Sequence, residues 1–181
     1  MDEKTRARSR RPKNIVLIGM PASGKTVLGR IVAKRMKLSF VDMDKKIEQD
    51  AGRSISEIFA AEGEGAFRAL EAACAAELGA REGLVISTGG GAVKSEENMR
   101  ALGANGVIVF IDRRVEDILT SNMKNRPLLR DDPSRVYALY RERIGLYRRW
   151  ADVEVKNRGS VYQTAAAIVR AARARMHGRR F

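Results

Sequence analysis

A single cysteine, Cys74, rules out an internal disulfide, and it sits among Ala72, Ala73, Ala75 and Ala76, a helical run in which a small buried hydrophobe is the expected role. No apolar run approaches the roughly 18 residues that a bilayer-crossing helix needs, which excludes a helical membrane span. The opening stretch, MDEKTRARSRRPK, has no apolar segment behind Arg10 and Arg11, so no secretion signal is expected and the cytoplasm is the expected compartment. The lone histidine, His177, lies in the C-terminal tail and is assigned no chemistry. Repeats and low-complexity segments are also missing. What remains is a globular composition, 44% hydrophobic and 31% charged over 181 residues, enough to bury the core of one domain and too short for a second catalytic one.

The net charge of +13 raises nucleic acid as a partner. Its distribution argues otherwise. Residues 1–13 hold six Lys or Arg against two acids, and residues 164–181 hold five Arg and no acid, so nine of the thirteen net charges sit in the tails. Such tails read as solvated ends, or as weak polyanion contacts that salt would screen. No specific nucleic-acid partner and no membrane contact are expected, and a monomer is the default. The organisation that follows is a basic tail over 1–13, one domain over 14–176 and a short tail over 177–181.

Between the tails, extended and helical patterns alternate. Asn14 to Gly19 is a short, continuously apolar run ending in glycine, as in a parallel strand covered on both faces. From Lys25 to Met36 the residues Val27, Leu28, Ile31, Val32 and Met36 recur at helical spacing, and Leu38 to Val41 is extended again. Ser54-Ile-Ser-Glu57 has the form of a capping box that opens a helix, and Glu64 to Leu78 reads as a second, Ala-rich helix ended by Gly79. Leu84 to Ser87 and Val107 to Ile111 are two further buried strands separated by a helix capped at Ser95, and Asp152 to Val155 offers a fifth. This order predicts an α/β fold, a three-layer αβα arrangement around a five-stranded parallel sheet, with ligands beyond the carboxyl ends of the strands. The polar segment Asn122 to Pro133, twice interrupted by proline between helical patterns, reads as an exposed loop and a lid candidate.

Gly19-Met-Pro-Ala-Ser-Gly-Lys-Thr26 matches G-x-x-x-x-G-K-[ST] between the first strand and the first helix. Glycines let backbone amides turn inward around phosphate oxygens, the helix N-terminus adds partial positive charge, Lys25 reaches the β- and γ-phosphates, and the Thr26 hydroxyl binds Mg²⁺. The guanine-reading NKxD motif is absent. Phe40-Val-Asp42-Met-Asp44 puts two carboxylates at i, i+2 beside the predicted phosphate site; on a regular strand they share a face, one ordering the metal's water shell and the other accepting a proton or hydroxyl hydrogen bond. The bland alternative is charge at the N-terminus of a helix from Lys45. After the third strand, Gly89-Gly90-Gly91 permits close approach of backbone to a ligand, or makes a plain tight turn. Arg68 is a candidate ligand for an anion, or simply the i, i+4 partner of Glu64.

Taken together, GMPASGKT, FVDMD, IF followed by GEGAFRALE, STGGG, RPLL and RERIGLYRRWA resemble the shikimate kinases, in order and spacing, from about Asn14 to Val155. The resemblance implies a P-loop NTPase of the nucleoside monophosphate kinase-like type, with a lid loop. It implies MgATP-dependent phosphorylation of the 3-hydroxyl of shikimate to shikimate 3-phosphate in chorismate and aromatic amino acid biosynthesis. Lys25, Asp44 and Arg126 are then the expected catalytic residues, with Asp44 also binding the acceptor's hydroxyls. Gly19, Pro21, Ala22, Ser23, Gly24, Lys25, Thr26, Val27, Arg126 and Arg158 are expected at ATP, with Arg158 bordering the adenine. Thr26 and, through water, Asp42 are expected at Mg²⁺. Arg68 and Arg143 look like the pair that clamps the shikimate carboxylate, because a bidentate guanidinium suits a planar carboxylate, and Gly89, Gly90 and Gly91 look like the backbone cradle beside the acceptor.

Two positions depart from the family's pattern. Where many members place an arginine on the adenine, seven residues before Arg126, this chain has Leu119, so an apolar adenine face is expected; Trp150 replaces a smaller or different apolar residue. Two other readings stay open on sequence alone. One is a kinase of the same fold acting on a different polyol or carboxylate. The other is an ATP-dependent nucleic-acid or scaffold factor working through the basic tails.

Overall fold

A computed structural model of the chain describes residues 12–120 and 133–177. The elements are β1 (Asn14–Ile18), α1 (Lys25–Met36), β2 (Ser39–Asp42), α2 (Met43–Ala51), α3 (Ile55–Ala80), β3 (Leu84–Ser87), α4 (Glu96–Ala104), β4 (Gly106–Asp112), α5 (Val115–Leu119), α6 (Pro133–Trp150), β5 (Val153–Lys156) and α7 (Val161–Met176). The strands form one sheet in the order β2-β3-β1-β4-β5, parallel at every pairing. Parallel strands need crossover connections, and the helices that supply them cover both faces of the sheet.

The alternation of side chains along the central strands divides the core in two. Val16 and Ile18 of β1, Ile108 and Phe110 of β4, and Leu84 and Ile86 of β3 face a layer containing Met43, Ile58, Phe67, Leu78, Met99, Leu102 and Tyr147. Ile15 and Leu17, Val107, Val109 and Ile111, and Val85 face Leu28 and Val32 of α1 and Ala165, Ile168 and Ala172 of α7. With β1 and β4 buried over their whole length, each such aliphatic side chain contributes about 1.5–3 kcal/mol relative to leaving it in water. That is why 15–18 and 107–111 read as unbroken apolar runs.

The expected elements are found with small shifts. The capping box is present: Ser54 Oγ accepts from the Glu57 amide at 3.2 Å, and the Glu57 carboxylate accepts from the Ser54 amide at 2.7 Å. The two helices expected after it are successive parts of α3, separated at Gly63, whose φ of 81° and ψ of −178° break the helical path. Ser95 caps α4 as expected, its Oγ accepting from the Asn98 amide at 3.2 Å. Trp150 ends α6, partly buried against the first core layer, with the Arg149 guanidinium 5.4 Å from its ring centre. Cys74 is buried in the same layer, and burial pushes its thiol up to about 11, as an inert core residue should behave. The lid candidate, apart from Pro133 at the start of α6, lies outside the described residues, as does most of both tails.

Candidate active site

The phosphate loop leaves β1 and delivers the chain to α1. Lys25 is the first residue of that helix, 7% exposed, and its Nζ donates to the carbonyls of Gly19 at 2.8 Å and Met20 at 2.9 Å, which lays the ammonium across the loop. The first turn of α1 carries no acidic residue of its own, and the positive end of the helix dipole is where an anion is stabilised. Thr26 donates its hydroxyl proton to Asp42 Oδ2 at 2.7 Å. That bond leaves the lone pairs of Thr26 Oγ1 for a cation and sets a carboxylate beside it. Hard oxygen donors of this kind suit Mg²⁺, which keeps several waters and takes few protein ligands.

The three glycines after β3 are surrounded by three different parts of the site. A Cβ on Gly89 would stand 2.7 Å from Asp44 Oδ1 and 3.4 Å from Glu71 Oε1; on Gly90, 2.8 Å from Pro21 Cδ in the phosphate loop; on Gly91, 3.1 Å from Arg68 Nη1. The turn therefore brings carboxylates, phosphate loop and an arginine to one short backbone segment that no larger residue could replace without displacing them.

Arg68 is held in a carboxylate fork. Its Nη2 donates to Glu64 Oε1 at 2.9 Å and its Nη1 to Glu71 Oε2 at 2.9 Å. The expected i, i+4 partnership with Glu64 is thus real, but it is half of the arrangement. Glu71 is 1% exposed and also accepts from Asn98 Nδ2 at 3.3 Å. Burial raises the Glu71 carboxyl above its ordinary value; the bond from Arg68 opposes this, and the Asp44 charge adds to the rise. Burial pulls Arg68 down, but Glu64 and Glu71 outweigh it and the guanidinium is held above its ordinary value. Arg143, on α6, donates from Nη1 to the Gly90 carbonyl at 3.2 Å, and Tyr147, one turn further, donates its phenol proton to the same carbonyl at 2.7 Å. Burial pushes the Tyr147 phenol up to about 12, so it remains a donor across the ordinary pH range. The buried Nε of Arg143 has no hydrogen-bond partner among the described residues; Glu142 Oε1, at 3.9 Å, is too far.

Gly19 to Thr26, Asp42, Asp44, Arg68, Gly89 to Gly91 and Arg143 thus come together at the carboxyl end of the sheet. Asp42 and Asp44 do not share a strand face, however. The strand stops at Asp42, which is also the N-cap position of α2, and Asp44 lies in that helix's first turn. The helical geometry sends the two carboxylates apart, Asp42 to Thr26 and Asp44 to the glycine turn. Val27 is 54% exposed at the start of α1. Arg158 donates to the Asp112 carbonyl and, at 2.7 Å, to Asp112 Oδ2, so its charge is met at the end of β4. Leu119 packs against the first core layer, and Arg126 lies outside the described residues. A cavity of about 360 Å³ opens between α1, β2 and α2, lined among others by Arg30, Phe40, Lys45 and Gln49; it meets the site only at Asp42. Sequence reasoning gave no role to Glu71 or Tyr147. Both stand inside quoted motifs, but a buried carboxylate and a phenol aimed at a backbone carbonyl have no pattern of their own.

The chain is similar to known proteins over most of its length. A family model described as shikimate kinase matches residues 21–173. A shikimate kinase of Halorhodospira halophila is 45% identical over 161 residues, 87% of this chain and 91% of the relative, and one of Clostridium botulinum (strain Eklund 17B / Type B) is 39% identical over 155 residues, 85% and 93%. Among solved structures, shikimate kinase from Acinetobacter baumannii in complex with shikimate superposes with a TM-score of 0.81 at 36% identity, covering 88% of this chain and 92% of that one. A gluconokinase from Sinorhizobium meliloti, at 18% identity and a TM-score of 0.54, shares the fold alone.

Proposed function

The chain belongs to the shikimate kinase family, and from that premise we propose how its residues divide the transfer of the γ-phosphate of ATP to the 3-hydroxyl of shikimate. The enzyme is an ATP-dependent phosphotransferase with an alcohol acceptor. Phosphoryl transfer passes through a loose transition state with charge spread over the moving group, so the protein chiefly positions the two substrates and neutralises charge.

Arg68 and Arg143 take the acceptor's carboxylate. The observation that carries this assignment is the buried Arg143 Nε, a charged donor with no hydrogen-bond acceptor among the described residues, on a guanidinium that shares the glycine turn with Arg68. A planar carboxylate supplies the missing acceptor and is oriented by it. Asp44, against Gly89, accepts the hydrogen bond of the attacking hydroxyl and takes its proton as the new bond forms. Lys25 exchanges the Gly19 and Met20 carbonyls for phosphate oxygens, and the amides at the start of α1 bind their neighbours. Thr26 and, through water, Asp42 would hold Mg²⁺, which neutralises phosphate charge when bound. Arg126 is assigned to the transferring phosphoryl group and Arg158 to the adenine border on the family resemblance. The product belongs to aromatic amino acid biosynthesis.

The test is ADP release with MgATP, with and without shikimate, on the wild type and on Arg143→Met. Shikimate-dependent ADP formation, with shikimate affinity collapsing in the variant, supports the reading. ADP release indifferent to shikimate refutes the acceptor assignment. Arg126→Ala is expected to lower turnover far more than it weakens shikimate binding, and equal turnover would refute the role given to Arg126.

A further inference from the structure

We propose that Arg113 and Asn157 are positioning residues for the nucleotide, gripping the phosphate loop by two consecutive carbonyls and thereby holding it in its phosphate-accepting shape. Arg113 follows the last residue of β4, and its Nη1 donates to the Ala22 carbonyl at 3.0 Å. Asn157 follows the last residue of β5, and its Nδ2 donates to the Ser23 carbonyl at 3.0 Å. Two consecutive carbonyls of the loop are therefore held from outside it by the ends of two neighbouring strands.

The grip falls where the loop needs it. Ala22 has φ 60° and Gly24 φ 96°, so left-handed residues lie on both sides of Ser23. That region is disfavoured for a residue with a Cβ, and such a conformation persists only where its surroundings over-determine it. A trans peptide unit is planar, with C=O and N–H pointing opposite ways. Holding the Ser23 carbonyl therefore turns the Gly24 amide to the side of the loop away from Asn157. Holding the Ala22 carbonyl likewise fixes the Ser23 amide, which donates to the Met20 carbonyl at 3.1 Å and closes the tight turn.

Asn157 is itself anchored. Its amide donates to the Asp112 carbonyl at 2.8 Å, and its Oδ1 accepts from the hydroxyl of Thr164 at 3.1 Å, a residue 3% exposed at the start of α7. Arg158 fastens on both the backbone and the side chain of Asp112. A Cβ on Gly24 would stand 3.2 Å from Asn157 Nδ2, tighter than ordinary contact, and the φ of 96° disfavours one there as well. Lys25 braces the Gly19 and Met20 carbonyls from within the loop, and that brace is given up when its ammonium turns to phosphate. Arg113 and Asn157 do not depend on it. A loop held in its phosphate-accepting shape loses less conformational freedom on binding, and the gain is read as nucleotide affinity.

The proposal rests on the ATP-dependent reading above, and its test separates the two. MgADP and shikimate are titrated separately by calorimetry into the full-length wild type, Asn157→Ala and Arg113→Met. Asn157→Ala is the deciding variant because it removes the grip on the Ser23 carbonyl, and its own anchor on Thr164, without removing a charge; Arg113→Met provides the test if Asn157→Ala does not fold. The expected result is a MgADP dissociation constant raised by roughly two- to twelvefold, the size of one lost neutral hydrogen bond to the loop, with shikimate affinity changed less than twofold and KM for ATP raised more than kcat falls. Unchanged MgADP affinity overturns the proposal. So does a parallel fall in both affinities together with the melting temperature, which is what general destabilisation would give. A wild type that binds MgADP but does not phosphorylate shikimate would sink the acceptor assignment while leaving this comparison intact.

Discussion

Alanine at Gly90 should separate the two substrates by a distance the chemistry cannot absorb. The new methyl would lie 2.8 Å from Pro21 Cδ, 2.9 Å from Pro21 Cγ and 3.2 Å from the Pro21 nitrogen. Ordinary van der Waals contact begins near 3.4 Å, so one side must retreat by about 0.6 Å in a close-packed region. Gly90 is poorly placed to do so, because its carbonyl is held by both Tyr147 and Arg143. The proline ring is rigid, so the phosphate loop shifts as a unit, away from the acceptor cradle. Backbone strain does not enter, since Gly90 is not among the positive-φ glycines. Overpacking of this kind costs about 1–3 kcal/mol of stability. A misplacement of about an ångström between reacting groups costs up to ~100-fold in rate, so kcat is expected to fall by roughly 10- to 100-fold. The assay is initial-rate kinetics at saturating ATP and shikimate, with thermal unfolding alongside. Gly65→Ala is the control: its methyl would meet nothing within 4 Å, and alanine in a helix is worth about 0.5–1 kcal/mol over glycine, so that variant should be slightly more stable and fully active. A Gly90→Ala enzyme with wild-type kcat would refute the contact argument.

Arg143→Met should raise the KM for shikimate by roughly 10- to 150-fold, the worth of a hydrogen bond to a charged group, while leaving that for ATP nearly unchanged; equal effects on both would argue against a carboxylate clamp. For Glu71 the folded pKa is raised, chiefly by burial and against the pull of Arg68. Its contribution to stability is therefore fully present below the ordinary value of 4.5 and lost as pH rises through the folded pKa. Glu71→Gln removes that loss, so the stability difference between variant and wild type, from chemical denaturation across pH 4 to 8, should move in the variant's favour as pH rises; a flat difference refutes it. Ser54→Ala removes the cap of α3 and is expected to cost about 0.5–2 kcal/mol in the same measurement without altering KM for either substrate.

Much of the architecture was legible because local chemistry dictated it. Strands buried on both faces must be apolar throughout, so β1, β3 and β4 announced themselves, and Ser54 and Ser95 marked helix starts because a hydroxyl there satisfies an otherwise orphaned amide. The phosphate loop was legible for a similar reason: its function is performed by its own backbone, so glycine spacing, lysine and threonine carry the whole requirement within eight residues. The carboxylate pair was located but its geometry was left open, because whether Asp42 and Asp44 share a face depends on where the strand ends, and boundaries are set by packing more than by propensity.

By itself, then, the sequence determined the sheet's strands, the phosphate loop and, through motif resemblance, the identity of the residues around the acceptor. Beyond the i, i+4 pair of Arg68 and Glu64, only the tertiary structure decided what those residues touch. Glu71 becomes a buried partner of Arg68 because α3 packs against α4, which brings Asn98 to the same carboxylate. Tyr147 and Arg143 meet on the Gly90 carbonyl across more than fifty residues, and Asn157 reaches Ser23 across 134. Contacts of that separation leave no periodicity in the chain, because they arise from the order in which parallel strands are laid side by side, and that order places the ends of β4 and β5 beside the loop that follows β1.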